Sequence, residues 1–507
     1  MNLTFIWKFH MHNLFVIWEE LIRFIMKKSI TINFIMNVVL TMSSFIFPLI
    51  TFPYISRILL PEGTGKVTFA TSVVAYFSMF AQLGIPTYGI RACAKVRDNK
   101  KKLSRVANEL LAINLITSFL SIFALAMAVC LVPRLNNEKL LYIIMSMSIF
   151  LTALGMEWLY KALEQYTYIA IRSIVFKFVA LVFMFLLVHS KSDYVIYGAI
   201  SIFASSASNL CNFVNAHKYI NIIPLNELKL QKHFPAVLVF FAMSCATTVY
   251  TNLDTVMLGF MATDADVGYY NAAVKIKGIL VALVTSLGAV ILPRASYYVE
   301  NNRIEEFYKI TQKTLQFVFL VSVPLMVYFI IFAKEGILFL SGSAYIGAVF
   351  PMQLIMPTLL LIGITNVLGM QILIPLGKEK CVLYSELFGA FVDIVINAIL
   401  IPKCAAAGAA IGTLIAEAVV LAVQCFFLRD KIHNLFFGIG YVMLAEGVFL
   451  SAVTATLIKC LNICMLVKLL ISFGVFFGVY IGWLLYKHEA LVIEVLQTVF
   501  KKISCKR

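Results

Sequence analysis

A charged side chain inside an apolar run of membrane-spanning length costs about 2.5–3.5 kcal/mol at the bilayer centre. Such a residue marks a partner or a function. Arg172 and Lys177 fall in one such run, Lys275 and Lys277 in another. The second pair is two residues apart, about 200° around a helix, so the two ammonium groups face opposite ways. Lys275 shares its face with Asn271 and Ser286, the pattern of a polar cavity. Lys275 is therefore the preferred cavity cation. Snorkelling toward the membrane surface is the alternative for all four, more so for Arg172 and Lys277 than for Lys275 and Lys177.

The acids in apolar runs are Asp254, Glu386, Asp393, Glu417 and Glu446. Glu386 and Asp393 are seven apart and Asn397 follows four later, so the three share one helix face. Asp254, Glu386 and Asp393 suit binding of a proton or cation, and so coupling to an ion gradient. Pairing with the basic residues is the structural alternative. Asp254 closes a polar stretch that includes Thr247, Thr248 and Asn252. Asn33 and Asn37, with Thr41, Ser43 and Ser44, make a similar stretch near the start of the chain. Both read as cavity lining, or else as hydrogen bonds between helices.

Other chemistries leave no mark. The ten cysteines are scattered without zinc or redox spacing, and the seven histidines form no H-E-x-x-H. No P-loop and no G-x-S-x-G is present. No metal, no cofactor and no catalytic residue is expected. A membrane glycosyltransferase or polymerase needs a large loop or domain, and no expected loop much exceeds ~20 residues.

The elements that must position these residues are membrane helices. The chain is 62% hydrophobic and 13% charged, against ~45–50% and ~25% for a soluble domain. About fourteen apolar runs, from 31–51 to 466–486, are long enough to cross the ~30 Å hydrocarbon core. They do not alternate in polarity, so the expected class is an all-α integral membrane protein, not a barrel. Placing the N-terminus inside puts roughly 28 Lys and Arg in inner segments and roughly 8 in outer loops. Both termini are therefore expected in the cytoplasm. The loop from Arg91 to Arg105 is the clearest inner one, and Ala262 to Asn271 the clearest outer one. The net charge of +16 sits at membrane edges, which argues against nucleic acid. Met1 to Ile25 lacks a signal-peptide cleavage site. Met26-Lys27-Lys28-Ser29 reads as a natural start, with an interfacial helix before it as the alternative.

The chain also repeats itself. Gly65, Ala70, Gly84 and Arg91 are echoed by Gly268, Ala273, Gly288 and Arg294 at nearly the same spacings. Gly155-Met156-Glu157 and Gly198 are echoed by Gly369-Met370-Gln371 and Gly412. Two parallel six-helix lobes, at 29–216 and 235–428, are the simplest account. A segment at 1–28, an inter-lobe loop at 217–234, two further helices at 429–487 and a tail at 488–507 complete the expected organisation. Two such lobes enclose a cleft suited to alternating access, so a transporter is expected.

Particular stretches carry a resemblance. They are Ile55-Ser56-Arg57-Ile58-Leu59-Leu60-Pro61-Glu62-Gly63-Thr64-Gly65, Leu83-Gly84-Ile85-Pro86-Thr87-Tyr88-Gly89-Ile90-Arg91, Glu157-Trp158-Leu159-Tyr160 with Glu164-Gln165-Tyr166, and Asn252-Leu253-Asp254-Thr255-Val256-Met257-Leu258-Gly259. From about Met26 to Tyr486 the chain resembles the Wzx-type flippases of O-antigen and capsule repeat units. These belong to the multidrug/oligosaccharidyl-lipid/polysaccharide exporter superfamily. The resemblance implies an undecaprenyl-diphosphate-linked oligosaccharide, moved from the inner to the outer leaflet of a bacterial plasma membrane. It implies a cleft lined by helices 1, 2, 7 and 8, and Lys275 with Arg172 or Lys177 as diphosphate contacts. Membrane lipids are implied partners, with the polysaccharide polymerase and assembly machinery as possible ones. The peptidoglycan-precursor branch carries arginines within its first two helices, and this chain has none there. An ion-coupled multidrug exporter of the same superfamily is the nearest rival reading.

Overall fold

A computed structural model describes residues 30–224, 228–459, 461, 463–494 and 497. The stretch before Ile30, with its expected start at Met26, and much of the expected C-terminal tail lie outside these residues. Among the described residues the structure is helical throughout, with no strand. Large apolar side chains face outward: Phe119, Leu131 and Val442 are each 73% exposed. Buried positions hold many polar groups, Glu109, Asn212 and Asn397 among them. A chain whose outer surface meets lipid has this distribution, because lipid gives apolar groups no reason to hide. It is a multi-pass membrane protein.

Eleven helices are long and apolar enough to cross a membrane, or twelve if the pair Ser343–Ile355 and Thr358–Leu373, bent by 45°, is one span. Fourteen runs were expected. The difference lies in two long helical runs, each containing two of the expected spans. Ile30–Gln82 has 53 residues and Glu379–Phe427 has 49, about 80 and about 74 Å of helix against a core of ~30 Å. Each is broken inside. Leu60 (φ 59°) breaks the first, just before Pro61, whose ring disfavours helical geometry in the residue before it. Ala405 (φ 46°) breaks the second, three residues after Pro402.

Helix starts follow local chemistry. Asn99 caps Lys100–Leu131 by accepting the Lys102 N–H at 3.1 Å. At Thr263 a reciprocal capping box with Asp266 starts Asp264–Glu300. The expected outer loop from Ala262 to Asn271 is therefore mostly helix. The acids that made it look like a loop are first-turn acids, favoured by the helix dipole.

Packing gathers the chain into two compact units. One comprises Met1–Thr51 and Val73–Thr248, the other Phe52–Ser72 and Val249–Arg507. In the first, a core of Ile85, Cys93, Leu103, Leu110, Trp158 and Val237 ties several helices together. In the second, the repeat-matched glycines meet. A Cβ on Gly65 would lie 1.7 Å from the Asp264 carbonyl oxygen, and one on Gly268 would lie 2.1 Å from that of Pro61. Only glycine permits this approach of backbone to backbone.

Candidate functional site

Three helices of the second unit bring polar side chains to one buried place. Phe234–Met261 contributes Tyr250 and Asp254, and Asp264–Glu300 contributes Tyr270 and Lys277. Glu379–Phe427 contributes Asp393 and Asn397 before its break, and Thr413 and Glu417 after it. The two arms touch at Gly412, where a Cβ would sit 2.1 Å from Asn397 Oδ1 and 3.1 Å from Asp393 Oδ1.

The hydrogen bonds converge on Asp254. Its Oδ1 accepts from Asn397 Nδ2 at 2.7 Å and its Oδ2 from the Thr413 hydroxyl at 2.8 Å. The Tyr270 hydroxyl also donates to Oδ2. Asn397 Nδ2 reaches Asp393 at 3.1 Å. The Tyr250 hydroxyl donates to Glu417. Asp393 and Glu417 are each 4% exposed, Asp254 is 9% exposed and Asn397 is fully buried. Lys277 is the cation whose field reaches all three carboxylates.

Three carboxylates and one ammonium, all withdrawn from water, leave negative charge in excess if every group is ionised. Uncompensated buried charge is costly. Uptake of a proton or a cation would relieve it. One buried oxygen, Asn397 Oδ1, has no hydrogen-bond partner. Carboxylate, amide and hydroxyl oxygens together suit a hard cation. Among the described residues, no group of three or more His, Cys, Asp or Glu side chains is arranged to ligate a metal ion.

The expected cations separate into two kinds. Lys275 is half-buried, with Nζ 4.0 Å from the centroid of the Phe52 ring. Lys177, in the first unit, donates to the hydroxyls of Ser43 and Ser44 at 2.9 and 3.0 Å. Among the described residues neither has a carboxylate at ion-pairing distance. Arg172 is 7% exposed and committed inside the first unit. It donates to Asn209 Oδ1 at 3.1 Å and lies 3.6 Å from Glu157. Lys277 is half-buried and feels the charge of all three carboxylates.

Glu386 is exposed and makes none of these bonds. Glu446 pairs with Lys487 at 3.2 Å. Asn33 is half-buried and Asn37 exposed. Thr247 is exposed and donates to Met243 O of its own helix at 3.2 Å, while Thr248 and Asn252 are half-buried. Sequence reasoning missed Tyr250, Tyr270, Thr413 and Glu417 as members of the site. A signal was available. Tyr250 with Asp254, Asp393 with Asn397, and Thr413 with Glu417 are all polar pairs at helical i, i+4 spacing in apolar runs.

The family model described as "Polysaccharide biosynthesis protein" matches residues 30–299, and the MatE model matches 240–399. A protein named "Putative O-antigen transporter" from Escherichia coli (strain K12) is 24% identical over 411 residues, 80% of this chain and 98% of that protein. One of the same name from Shigella dysenteriae is 25% identical over 415 residues, 78% and 98%. Among solved structures, the lipid II flippase MurJ in an inward closed conformation aligns at a TM-score of 0.72 and 17% identity. That alignment covers 90% of this chain and all of MurJ. An inward-facing MATE family multidrug resistance transporter of the MOP superfamily aligns at 0.62 and 13% identity, covering 77% and 94%. At these identities the two structures bear on the fold alone.

Proposed function

We propose, from the premise that this chain belongs to the polysaccharide biosynthesis protein family, that it is a flippase for lipid-linked oligosaccharides in cell-surface polysaccharide assembly. The observation that carries this reading is a pair of intramembrane ammonium groups, Lys275 and Lys177, with no carboxylate at ion-pairing distance among the described residues. An unpaired cation in an apolar span is sustained by an anionic ligand. A diphosphate between lipid and sugar supplies that anion. Lys275 on its phenyl platform is one candidate contact in the second unit, and Lys177 another in the first. Arg172 is the weaker candidate, because Asn209 and Glu157 already occupy it. Asn33, Asn37, Thr247, Thr248 and Asn252 would replace the water of the glycan.

The Asp254 cluster is the proposed coupling site. Protonation or cation binding there offsets the carboxylate excess, so its occupancy biases the protein between states. Asp393 acts with Asp254, and exposed Glu386 serves as an approach to them. The two lobes, 29–216 and 235–428, would alternate access for the cargo. A bacterial plasma membrane with both termini cytoplasmic fits the Lys and Arg asymmetry. Polymerase and assembly proteins would receive the product. The chain moves its cargo and makes or breaks no bond in it.

The match to the MatE model over 240–399 supports a second reading, an ion-coupled exporter of small molecules. Depletion in the cell of origin decides. Lipid-linked repeat units accumulating in the inner leaflet, with loss of surface polysaccharide, is the expected result. Unchanged surface polysaccharide without accumulation, in a cell lacking any second flippase, would overturn the reading in favour of the exporter.

A further inference from the structure

Helix Phe234–Met261, which carries Asp254, is entered through a short segment, Lys229 to His233. Lys229, Lys232 and His233 of that segment all bond to one acid of the first unit, Glu109. Glu109, on helix Lys100–Leu131, has no exposed surface. Its Oε1 accepts the Lys229 backbone N–H at 3.0 Å. Its Oε2 accepts from Lys232 Nζ at 2.6 Å and from His233 Nε2 at 2.9 Å. With that proton on Nε2, His233 Nδ1 accepts from the Tyr88 hydroxyl at 2.9 Å. One turn before Tyr88, Gly84 (φ 71°) lies so close to the Phe240–Phe241 backbone that a Cβ would be 2.5 Å from it. Behind this closure, Cys93 and Val237 are fully buried in one core.

Apolar packing alone would hold two helices together without a buried charge. Here, among the described residues, the partners of the carboxylate all lie in the segment from Lys229 to His233. Lifting that segment removes Lys232, His233 and a backbone donor at once, so the contact is made as a whole or broken as a whole. The Lys232 side chain remains 45% exposed, so water has a route to replace it. We propose that Glu109 is the receptor of a latch. In this device the segment from Lys229 to His233 undocks and redocks, and carries the first turns of helix Phe234–Met261 with it. Asp254 follows His233 by twenty-one residues in the chain.

Cys93 is the built-in reporter, because it is buried in the same core as Val237, in the first turn of the helix that the latch holds. N-ethylmaleimide labelling of the full chain in native membranes, read at each cysteine by mass spectrometry, needs no cargo. It stands apart from the proposed function. In Glu109→Gln the rate at Cys93 should rise about tenfold or more, the weight of a lost charge-assisted hydrogen bond. The rate at Cys425, in the second unit, should stay as it was. Lys232→Met, a milder change at a half-exposed position, should raise Cys93 labelling in the same direction, and Lys232→Arg should restore it. An unchanged Cys93 rate in both Glu109→Gln and Lys232→Met overturns the latch. A parallel rise at Cys425 also overturns it, because it marks general loosening. Loss of polysaccharide export with Cys93 labelling unchanged would leave the flippase reading intact and remove the latch.

Discussion

At the scale of single residues, charge balance makes the strongest demands. Lys275 has an aromatic ring beneath it and, among the described residues, no acid at ion-pairing distance. In Lys275→Gln, export should fall about tenfold or more while the protein stays in the membrane, and Lys275→Arg should keep most of it. Surface polymer measured against membrane-extracted protein reads both. A glutamine variant with full output would remove Lys275 from the site. The Asp254 cluster gives opposite expectations for its two signs of charge. Lys277→Met removes the cation whose charge reaches the carboxylates and should lower stability. Asp393→Asn relieves the excess and should be neutral or stabilising. Thermal melting in detergent distinguishes them, and a melting temperature that falls equally in both would refute the charge argument.

At the scale of elements, the site depends on breaks and close approaches. The break at Ala405 turns one 49-residue run into two arms, so that Thr413 and Glu417 face the helix bearing Asp254. The Gly65–Gly268 crossing tolerates no side chain. Gly65→Leu should therefore lower stability by about 1–3 kcal/mol, or prevent folding, through forced separation of the two backbones. Accumulation of that variant and its melting temperature test this, and a parent-like temperature would argue against the crossing. Thr263→Ala, by contrast, removes only a helix cap and should cost about 1 kcal/mol. The repeated glycines were visible in the sequence as a matched series. That two of them touch was not, because spacing along a chain says nothing about which helices cross.

At the scale of the whole molecule, the carboxylate excess predicts a gradient dependence. In sealed vesicles, collapse of the proton or cation gradient should stop transport by the parent protein. Asp254→Asn should transport at a low rate that the gradient no longer changes. Equal gradient sensitivity in both would take Asp254 out of coupling. The sequence by itself determined the membrane class, the all-helical fold and the stretches that identify the family. Hydropathy and local motifs are properties of short windows, and a bilayer rewards them directly. It also singled out Asp254, Asp393, Asn397, Lys275 and Lys177, since a polar group in an apolar run stands out wherever it ends up. Only the tertiary structure decided which of these share a place. Glu386 fell outside the cluster although it shares a helix face with Asp393. Lys277 came to feel the charge of the carboxylates, and Arg172 was taken by Asn209 and Glu157. Tyr270, Thr413 and Glu417 joined the site from positions 16, 159 and 163 residues away from Asp254. Such partnerships depend on helix crossings and on breaks such as Ala405, which long-range packing fixes and no local window encodes.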